Sequence, residues 1–479
     1  MATALKTPDS INETGNGRYR RKLLYAIPVI CVGILLLQTY QLYKFAYFGS
    51  DDFHNLYFVQ TQSFAQMIGY VVNPVSAYFR PTGMMCYWIL LRFFDLNPAP
   101  YHWFAWSLHG ANTALLYFIL KRFTESRAGA AIGAMLFASP VVFFEVYWNF
   151  GVIFDPVAAF FFFVGILLWT SERRRWWQVL LASLALILSV KGKEMALTMP
   201  IILVSYDLLL RKEMKLGMLA HSLLPGGLAV WYALFSFGFQ LYHQPLSPAL
   251  AMRGLPANHP YYMNITATTL ASGFGTYFNM LFRTNFSWQI WWIGFIALVL
   301  VLALLRNRVA LFFQWYTFIT FLPVIFLVNH RNDSYWYIPS LGICGLVAML
   351  AKIIYGAIAM RNPEWLTKGG AWAVFALLCS GTFLLQKEAN ASGRHWVKIN
   401  VTQGFHAFVS GLQALPPPPH GETIFFDSLP PHLEENTLLA ATQLAFRRAD
   451  LQAKLVSEFP ADATYRLRFQ DSRLIQVPR

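Results

Sequence analysis

The stretch from Gly151 to Ser171 reads GVIFDPVAAFFFFVGILLWTS, and it decides the fold class of this chain. It contains one charged residue, Asp155, and the basic cluster 173–175 follows almost at once. A helix needs about 20 apolar residues to cross the hydrocarbon core of a bilayer. Basic residues gather in the cytoplasmic loops of membrane proteins. The stretch therefore predicts a transmembrane helix whose carboxyl end faces the cytoplasm.

The composition of the whole chain agrees with a lipid environment. Of its 479 residues, 56% are hydrophobic and 13% are charged, whereas soluble domains carry about 25% charged residues. The net charge of +14 could indicate a nucleic-acid partner, but its distribution argues against one. Residues 387–479 hold ten Lys/Arg and nine Asp/Glu, so the positive excess lies in the membrane part and its N-terminus. We expect a lipid bilayer and no nucleic acid as partner.

Comparable apolar runs recur along the chain and predict about eleven spans. These runs are 23–45, 102–121, 128–144, 151–171, 176–190, 195–210, 217–240, 288–305, 309–328, 335–357 and 370–386. The first is longer than the core of a signal peptide and has no evident small-residue cleavage site, which favours an uncleaved helix. The stretch Ile265 to Phe282 is rich in Thr, Gly and Ser, so we interpret it as an outside, interfacial or re-entrant helix.

The orientation follows from the charge of the loops. With residues 1–22 in the cytoplasm, every loop on the cytoplasmic side is basic, as the orientation rule requires. The basic residues in these loops are Lys121, Arg122, Arg127, Arg173, Arg174, Arg175, Arg211, Lys212, Lys215, Arg306, Arg308, Arg361 and Lys368. The first loop, about 46–101, and the tail, 387–479, then lie outside.

The tail has the pattern of a small α+β domain. A rigid Pro416–Pro419 linker precedes a predicted strand at Thr423–Asp427, a helix at Asn436–Ala449 and strands at Thr464–Phe469 and Arg473–Val477. The predicted fold class is thus an all-α polytopic membrane bundle, residues 23–386, with a C-terminal extracytoplasmic α+β appendix.

Ionisable residues at the edge of a membrane span are costly and are functional candidates. On this topology one set converges on the outer side: Asp51, Asp52, His54, Arg80, His102, His109, Glu145, Asp155, Lys191, Lys193, Glu194, His330, Arg331 and Asp333. Carboxylates can deprotonate an acceptor hydroxyl, Lys and Arg can neutralise a leaving phosphate, and carboxylates with His can hold a divalent ion.

Each candidate also has a structural interpretation. The acidic pair Asp51-Asp52 can cap a helix, and Arg80 can anchor the chain at the interface. Glu145 and Asp155 can be turn residues, and the two His residues of the second span, His102 and His109, are more readily explained by packing. The convergence of the whole set favours a site for transfer chemistry on a phosphate-bearing substrate.

The order of several short motifs resembles a known family. Gly49-Ser-Asp-Asp-Phe53 follows the first predicted helix, and Arg80-Pro-Thr-Gly83 lies in the first loop. Glu145 precedes Asp155 by ten residues, Lys193-Glu194 precedes Pro200, and Tyr335-Trp-Tyr-Ile-Pro-Ser-Leu-Gly342 opens a late helix. Over about 20–390 the series resembles the C superfamily of membrane glycosyltransferases (GT-C). It is most similar to protein O-mannosyltransferase-like members and to the membrane part of the tetratricopeptide-repeat O-mannosyltransferases.

This resemblance implies a sugar donor on a polyprenyl phosphate and an inverting, single-displacement transfer to a protein or glycolipid hydroxyl. It implies a catalytic acid in the first outer loop, which matches Asp51 with Asp52 beside it. Arg80 matches a position that handles the donor phosphate in the related lipid A aminoarabinose transferases, and Lys193 belongs to the shared Lys-Glu motif. We add Arg331 as a phosphate ligand from its position.

The remaining candidates, Glu145, Asp155, Glu194 and His330, are predicted to contact substrate or a divalent metal ion. The chain lacks tetratricopeptide repeats and has Asp333-Ser334 where the repeat-bearing members have Glu-Arg. A compact tail without repeats favours a bacterial inner membrane. The alternatives are a transferase that modifies lipid A or a polysaccharide, a transporter or lipid flippase, and a non-catalytic membrane scaffold.

Overall fold

The computed structural model describes residues 46–73, 80–138, 146–211, 216–237, 263–361 and 403–478, except 147 and 432, and a few isolated residues elsewhere. The predicted spans 23–45 and 370–386, and the candidate Glu145, lie outside the described residues.

Three helices make up the described part of the first outer loop: α1 (Ser50–Gln60), α2 (Phe64–Val72) and α3 (Pro81–Phe94). Local chemistry explains where they begin. The Ser63 hydroxyl accepts a hydrogen bond from the Gln66 N–H, and the Gln66 side chain accepts one from the Ser63 N–H. This reciprocal cap satisfies two otherwise unpaired donors. Pro81 starts α3, where its missing N–H costs nothing.

The helices of the bundle follow the predicted apolar runs, except the helix at Ala267–Phe282, which lies in the Thr-, Gly- and Ser-rich stretch interpreted above as an outside, interfacial or re-entrant helix. They are α4 (Pro98–Thr124), α5 (Arg127–Ala138), α6 (Phe154–Trp169), α7 (Trp176–Val190), α8 (Met199–Leu209), α9 (Leu216–Trp231), α10 (Ala267–Phe282), α11 (Trp288–Leu304), α12 (Arg308–Ile325) and α13 (Ser340–Arg361). Short 3₁₀ segments at Phe150–Val152, Glu194–Thr198 and Asp333–Trp336 precede α6, α8 and α13, and a π-helical turn, Tyr232–Phe237, continues α9.

Small residues let the bundle pack closely. A Cβ added at Gly129 would lie 2.5 Å from the Ala348 carbonyl oxygen, and one at Gly133 would lie 2.8 Å from that of Cys344. The backbones of α5 and α13 therefore touch at two points one helical turn apart. Close backbone approach through small residues is how helices pack in membranes.

Two described helical stretches, Phe150–Trp169 and Arg308–Ile325, are long and apolar enough to cross a membrane by length and composition. The predicted count of about eleven is thus not confirmed. The surface of α11 nevertheless fits lipid. Of its residues, Leu302 is buried, while Ile293 and Leu304 are 67% and 83% exposed. Soluble proteins rarely expose an apolar face of this size.

A buried ion-pair cluster lies at the predicted cytoplasmic end of α6 and α8. The Asp207 carboxylate accepts hydrogen bonds from Arg174 at 2.5 and 2.9 Å and from Arg211 at 3.2 Å. The Trp169 indole N–H also donates to it at 3.1 Å, and the Arg174 guanidinium stacks 3.9 Å from the Trp169 ring. Both Arg174 and Asp207 are almost fully buried, so the pair joins the loop after α6 to the end of α8.

The C-terminal domain has the predicted α+β character. Its elements are α14 (Gly404–Ala414), β1 (Thr423–Phe426), α15 (Glu435–Phe446), β2 (Gln452–Leu455), β3 (Tyr465–Gln470) and β4 (Arg473–Gln476). The sheet has the order β2-β1-β3-β4, with β1 parallel to β2 and β3, and β4 antiparallel to β3. The three predicted strands and the helix are confirmed, while α14 and β2 were not predicted.

The described core has two parts. One lies within the helical bundle, and the other joins the first outer loop to the C-terminal domain. Phe53 and Leu56 of α1 belong to the same buried cluster as Phe405, Leu438 and Ala441 of the C-terminal domain. The C-terminal domain therefore packs against the first outer loop, and the two share one hydrophobic core.

Candidate active site

The two neighbouring acids of α1 have different surroundings. Asp52 is fully buried, and its carboxylate accepts hydrogen bonds from the Tyr87 hydroxyl at 2.6 Å and the Gly49 N–H at 2.8 Å. Asp51 is exposed and lies beside Gly151, where an added Cβ would come within 3.1 Å of the Asp51 Cβ. Asp51 can meet a substrate, whereas Asp52 holds the first turn of its helix against α3.

Burial raises the pKa of Asp52 from 3.8 to about 7, although the hydrogen bonds from Tyr87 and Gly49 act in the opposite direction. A raised carboxyl pKa means that the folded protein retains a proton that the unfolded chain has already lost. The folded state is therefore disfavoured progressively as pH rises from about 4 to about 7.

We expect Asp52→Asn to remove this pH dependence, because an amide stays neutral and can accept from Gly49 while it donates to the Tyr87 oxygen. One pKa unit corresponds to about 1.4 kcal/mol, so the variant should gain on the order of a few kcal/mol relative to wild type across this range. Melting temperatures of both proteins in detergent from pH 5 to 8 measure the effect. Two parallel curves would contradict it.

Arg80 and Glu194 form an ion pair across the site. The Arg80 Nε and Nη2 atoms donate to the two Glu194 carboxylate oxygens, both at 3.1 Å. The Arg80 guanidinium also lies 5.5 Å from the centre of the Phe154 ring. Although burial favours neutral Glu194, the charges of Arg80 and Lys193 lower its pKa overall. Arg80 has a φ of +61°, and such left-handed backbone in a non-glycine residue concentrates at functional sites.

A second, more deeply buried pair joins the loop after α7 to α6. The Lys193 ammonium donates to the Asp155 carboxylate at 2.9 Å and lies 4.8 Å from the centre of the Tyr335 ring. Burial and the nearby positive charge of Arg80 lower the pKa of Lys193, while Asp155 and Glu194 raise it. The two ion pairs are therefore electrostatically coupled and form one charged site.

His330 borders this site. Burial lowers its pKa, as do the charges of Lys193 and Arg80, while Asp51 and Asp155 act in the opposite direction. His330 is thus within electrostatic range of all four residues, and its ring packs edge-on against Tyr335. The structure brings together six of the predicted candidates around one location: Asp51, Arg80, Asp155, Lys193, Glu194 and His330.

Other candidates lie elsewhere. The Arg331 guanidinium donates to the Thr276 hydroxyl of α10 at 2.8 Å, a contact that the sequence did not predict. His109 is buried on α4, 2.7 Å from the Tyr337 hydroxyl, and His102 is also buried. The packing interpretation of both His residues is therefore supported. Asp333 begins the 3₁₀ segment before α13.

An apolar cavity of about 260 Å³ adjoins the loop after α7. Its walls come from α2, α7 and α9, and they include Val72, Leu186, Val190, Leu228 and Trp231. Among the described residues that line it, Lys191 is the one with a charge. The Lys191 ammonium donates to the carbonyls of Tyr70 at 3.1 Å and Asn73 at 2.8 Å, and burial lowers its pKa to about 8.

The sequence candidates for specific site roles did not include Tyr87, Lys191 or Tyr335. Tyr335 lay in a quoted motif, and Lys191 was one of the outer-side charges, but neither could be given a partner from the sequence. In the described part of the chain, no group of three or more His, Cys, Asp or Glu residues is arranged to hold a metal ion. The predicted divalent ion therefore gains no support from these residues.

Comparison with known proteins identifies the fold of this chain. No family model matches the sequence, and no curated protein matches it. ArnT from Cupriavidus metallidurans in the apo state superposes with a TM-score of 0.54 and 12% identity, covering 88% of this chain and 84% of ArnT. The same ArnT bound to undecaprenyl phosphate gives 0.53 and 13%, covering 89% and 85%. The chain has an ArnT-like fold, and at such identity this likeness carries over no residue roles.

Proposed function

We propose that this protein is a membrane glycosyltransferase that takes its sugar from a polyprenyl phosphate and acts on the extracytoplasmic face, with inversion at the sugar. One observation carries the proposal. The exposed Asp51 carboxylate lies beside Gly151, just before α6, and the ion pair Lys193–Asp155 joins α6 to the loop after α7. The same loop carries Glu194, which pairs with Arg80, and Lys191, which lines the apolar cavity. The fold is shared with ArnT, which has been solved with undecaprenyl phosphate bound.

In the proposed reaction, Asp51 is the general base. Its carboxylate takes the proton of the acceptor hydroxyl as the hydroxyl oxygen attacks the anomeric carbon. The bond from that carbon to the phosphate oxygen breaks on the opposite face, and polyprenyl phosphate leaves with its electron pair. One displacement of this kind inverts the configuration at the anomeric carbon.

The cations suit a leaving phosphate. Negative charge on the phosphate grows as the glycosidic bond breaks, and fixed cations in a site with little water stabilise that charge strongly. Arg80 offers a planar fork that matches phosphate oxygens, and Lys193 offers a point charge. Glu194 and Asp155 hold these two side chains in place, which avoids rearrangement during the reaction.

The charge balance of the site also fits a lipid-linked donor. Arg80 with Glu194 and Lys193 with Asp155 are each neutral as pairs. In the described part of the chain no carboxylate pairs with Lys191, so this cation is left to meet a phosphate, while the carboxylate of Asp51 balances its charge in the site as a whole. The phosphate that links a sugar to a polyprenyl chain carries one negative charge, and the adjoining apolar cavity suits the start of the chain.

The acceptor is a hydroxyl of a protein or a glycolipid. The ArnT-like fold is compatible with either acceptor. Protein O-mannosylation rests on the sequence motifs alone. We place the protein in a bacterial inner membrane with the N-terminus in the cytoplasm and the C-terminal domain in the periplasm, because this orientation places the basic loops in the cytoplasm.

The donor can be tested directly. We expect purified protein to release polyprenyl phosphate from a polyprenyl-phosphate sugar and to leave the matching nucleotide sugar unchanged. Mannose, glucose and aminoarabinose donors should be compared in both forms, with Arg80→Ala as the control that loses one of the cations proposed to stabilise the leaving phosphate. Transfer from a nucleotide sugar with none from any lipid-linked donor would overturn the proposal.

A further inference from the structure

The C-terminal domain packs against α1, the helix that carries Asp51. The Thr437 hydroxyl of α15 lies 3.2 Å from the His54 Nε2 atom of α1. The Phe53 ring, which is fully buried, packs edge-on against Phe405 of α14 at 6.0 Å between ring centres. Two elements of the distant C-terminal domain thus contact the helix that carries Asp51.

Consecutive residues of α1 contact different parts of the protein. Asp51 lies beside Gly151, and the buried Asp52 carboxylate bonds to Tyr87 of α3. Phe53 and His54, one and two residues further on, face the C-terminal domain. Successive side chains on an α-helix point about 100° apart, so His54 lies about 60° from Asp51 around the helix axis and Phe53 about 160° from it. Contacts of the C-terminal domain at these two positions set the rotation at which Asp51 is presented.

We propose that the C-terminal domain is a clamp that positions α1, so that Thr437 and Phe405 act through this helix on the location of Asp51. Thr437 is a positioning residue in this assignment, since its hydroxyl contacts His54 of α1 and acts on Asp51 through this helix. The clamp itself rests on the contacts of α1, and its consequence for turnover rests on the proposed function.

The chain offers a matched control on the same helix. Thr442 of α15 is fully buried like Thr437, but its hydroxyl donates to the Leu438 carbonyl within the helix at 2.8 Å. The two substitutions Thr437→Val and Thr442→Val remove the same hydroxyl group from the same helix. One removes a contact with α1, and the other does not.

Hydrogen–deuterium exchange of the full-length protein in detergent tests the clamp without any substrate. A hydrogen bond contributes about 0.5–1.5 kcal/mol, so we expect Thr437→Val to speed exchange in residues 50–60 by about 2- to 10-fold. Thr442→Val should leave this segment unchanged, and Thr437→Ser, which keeps the hydroxyl, should restore protection. Unchanged exchange in Thr437→Val, or equal acceleration in both valine variants, would overturn the clamp.

Turnover with whichever lipid-linked donor proves active tests the consequence. Small misplacements of a catalytic group are costly, and we expect Thr437→Val to lower kcat by about tenfold while KM for the donor stays within about twofold. The double variant His54→Ala with Thr437→Val should lose no more than the larger single loss. Faster exchange with unchanged kcat would overturn the positioning role. If no lipid-linked donor reacts, the proposed function fails while exchange still decides the clamp.

Discussion

Asp51→Asn is expected to lower the turnover number with a lipid-linked donor by roughly 10²–10⁴-fold, because general base assistance is worth about this much. Asparagine preserves the size and polarity of the side chain and removes its ability to take up the acceptor proton. Asp51 is exposed, and its carboxylate is not used in the core of the protein. We therefore expect the variant to accumulate in the membrane and to melt at the wild-type temperature. Initial rates at saturating donor measure the loss.

The neighbouring acid provides the control for this experiment. Asp52→Asn keeps the hydrogen bonds to Tyr87 and Gly49 available, so it should lose far less turnover than Asp51→Asn. The reverse order of losses would identify Asp52 as the base and would require α1 to rotate or open. Normal turnover in both variants would favour a non-catalytic interpretation of the acidic pair.

Asp207→Ala is expected to have the largest effect on stability. Removing one partner of a buried ion pair costs about 3–5 kcal/mol, since the remaining charge stays buried without compensation. The Arg174 side chain is buried and would lose its carboxylate partner. Arg211 would also lose the carboxylate that compensates its charge. We expect a melting temperature in detergent lower by roughly 10 °C. The candidate active site lies away from this cluster, so variant protein that is still folded should retain wild-type turnover.

A half-exposed ion pair in the C-terminal domain provides the comparison. Asp427 pairs with Arg468, whose side chain is 48% exposed and can be hydrated when its partner is removed. Such solvent-screened pairs contribute little to stability, so Asp427→Ala should shift the melting temperature by no more than a few degrees. Equal shifts for Asp207→Ala and Asp427→Ala would show that the buried cluster is not a stabilising centre of the fold.

The sequence by itself determined the features that depend on local chemistry. Apolar runs predicted the helices from α4 to α13, except α10, because burial in lipid or in the bundle requires a continuous apolar surface. The helix α10 lies in the stretch 265–282, which its Thr-, Gly- and Ser-rich composition set apart from the predicted spans. In the C-terminal domain, alternation of apolar and polar residues predicted three of the four strands, and helical periodicity predicted α15. Loop charges placed Arg80, Asp155, Lys193 and Glu194 on one side of the membrane, and these four side chains meet in the structure.

Only the tertiary structure decided which of these groups pair. Arg80 and Glu194 are separated by 114 residues, and Lys193 and Asp155 by 38, so no local pattern contains their partnership. Asp51 and Asp52 are adjacent in sequence and equal in chemistry, yet one is exposed and the other is buried against Tyr87.

The physical reason is that the direction of a side chain depends on what packs against its helix. Hydrophobic periodicity and charge record where a segment lies relative to lipid and water. They do not record which neighbouring helix covers each face. The hydrogen bond of Arg331 to α10, the position of Tyr335 beneath Lys193 and the cover that the C-terminal domain forms over α1 all depend on distant segments meeting in the folded chain.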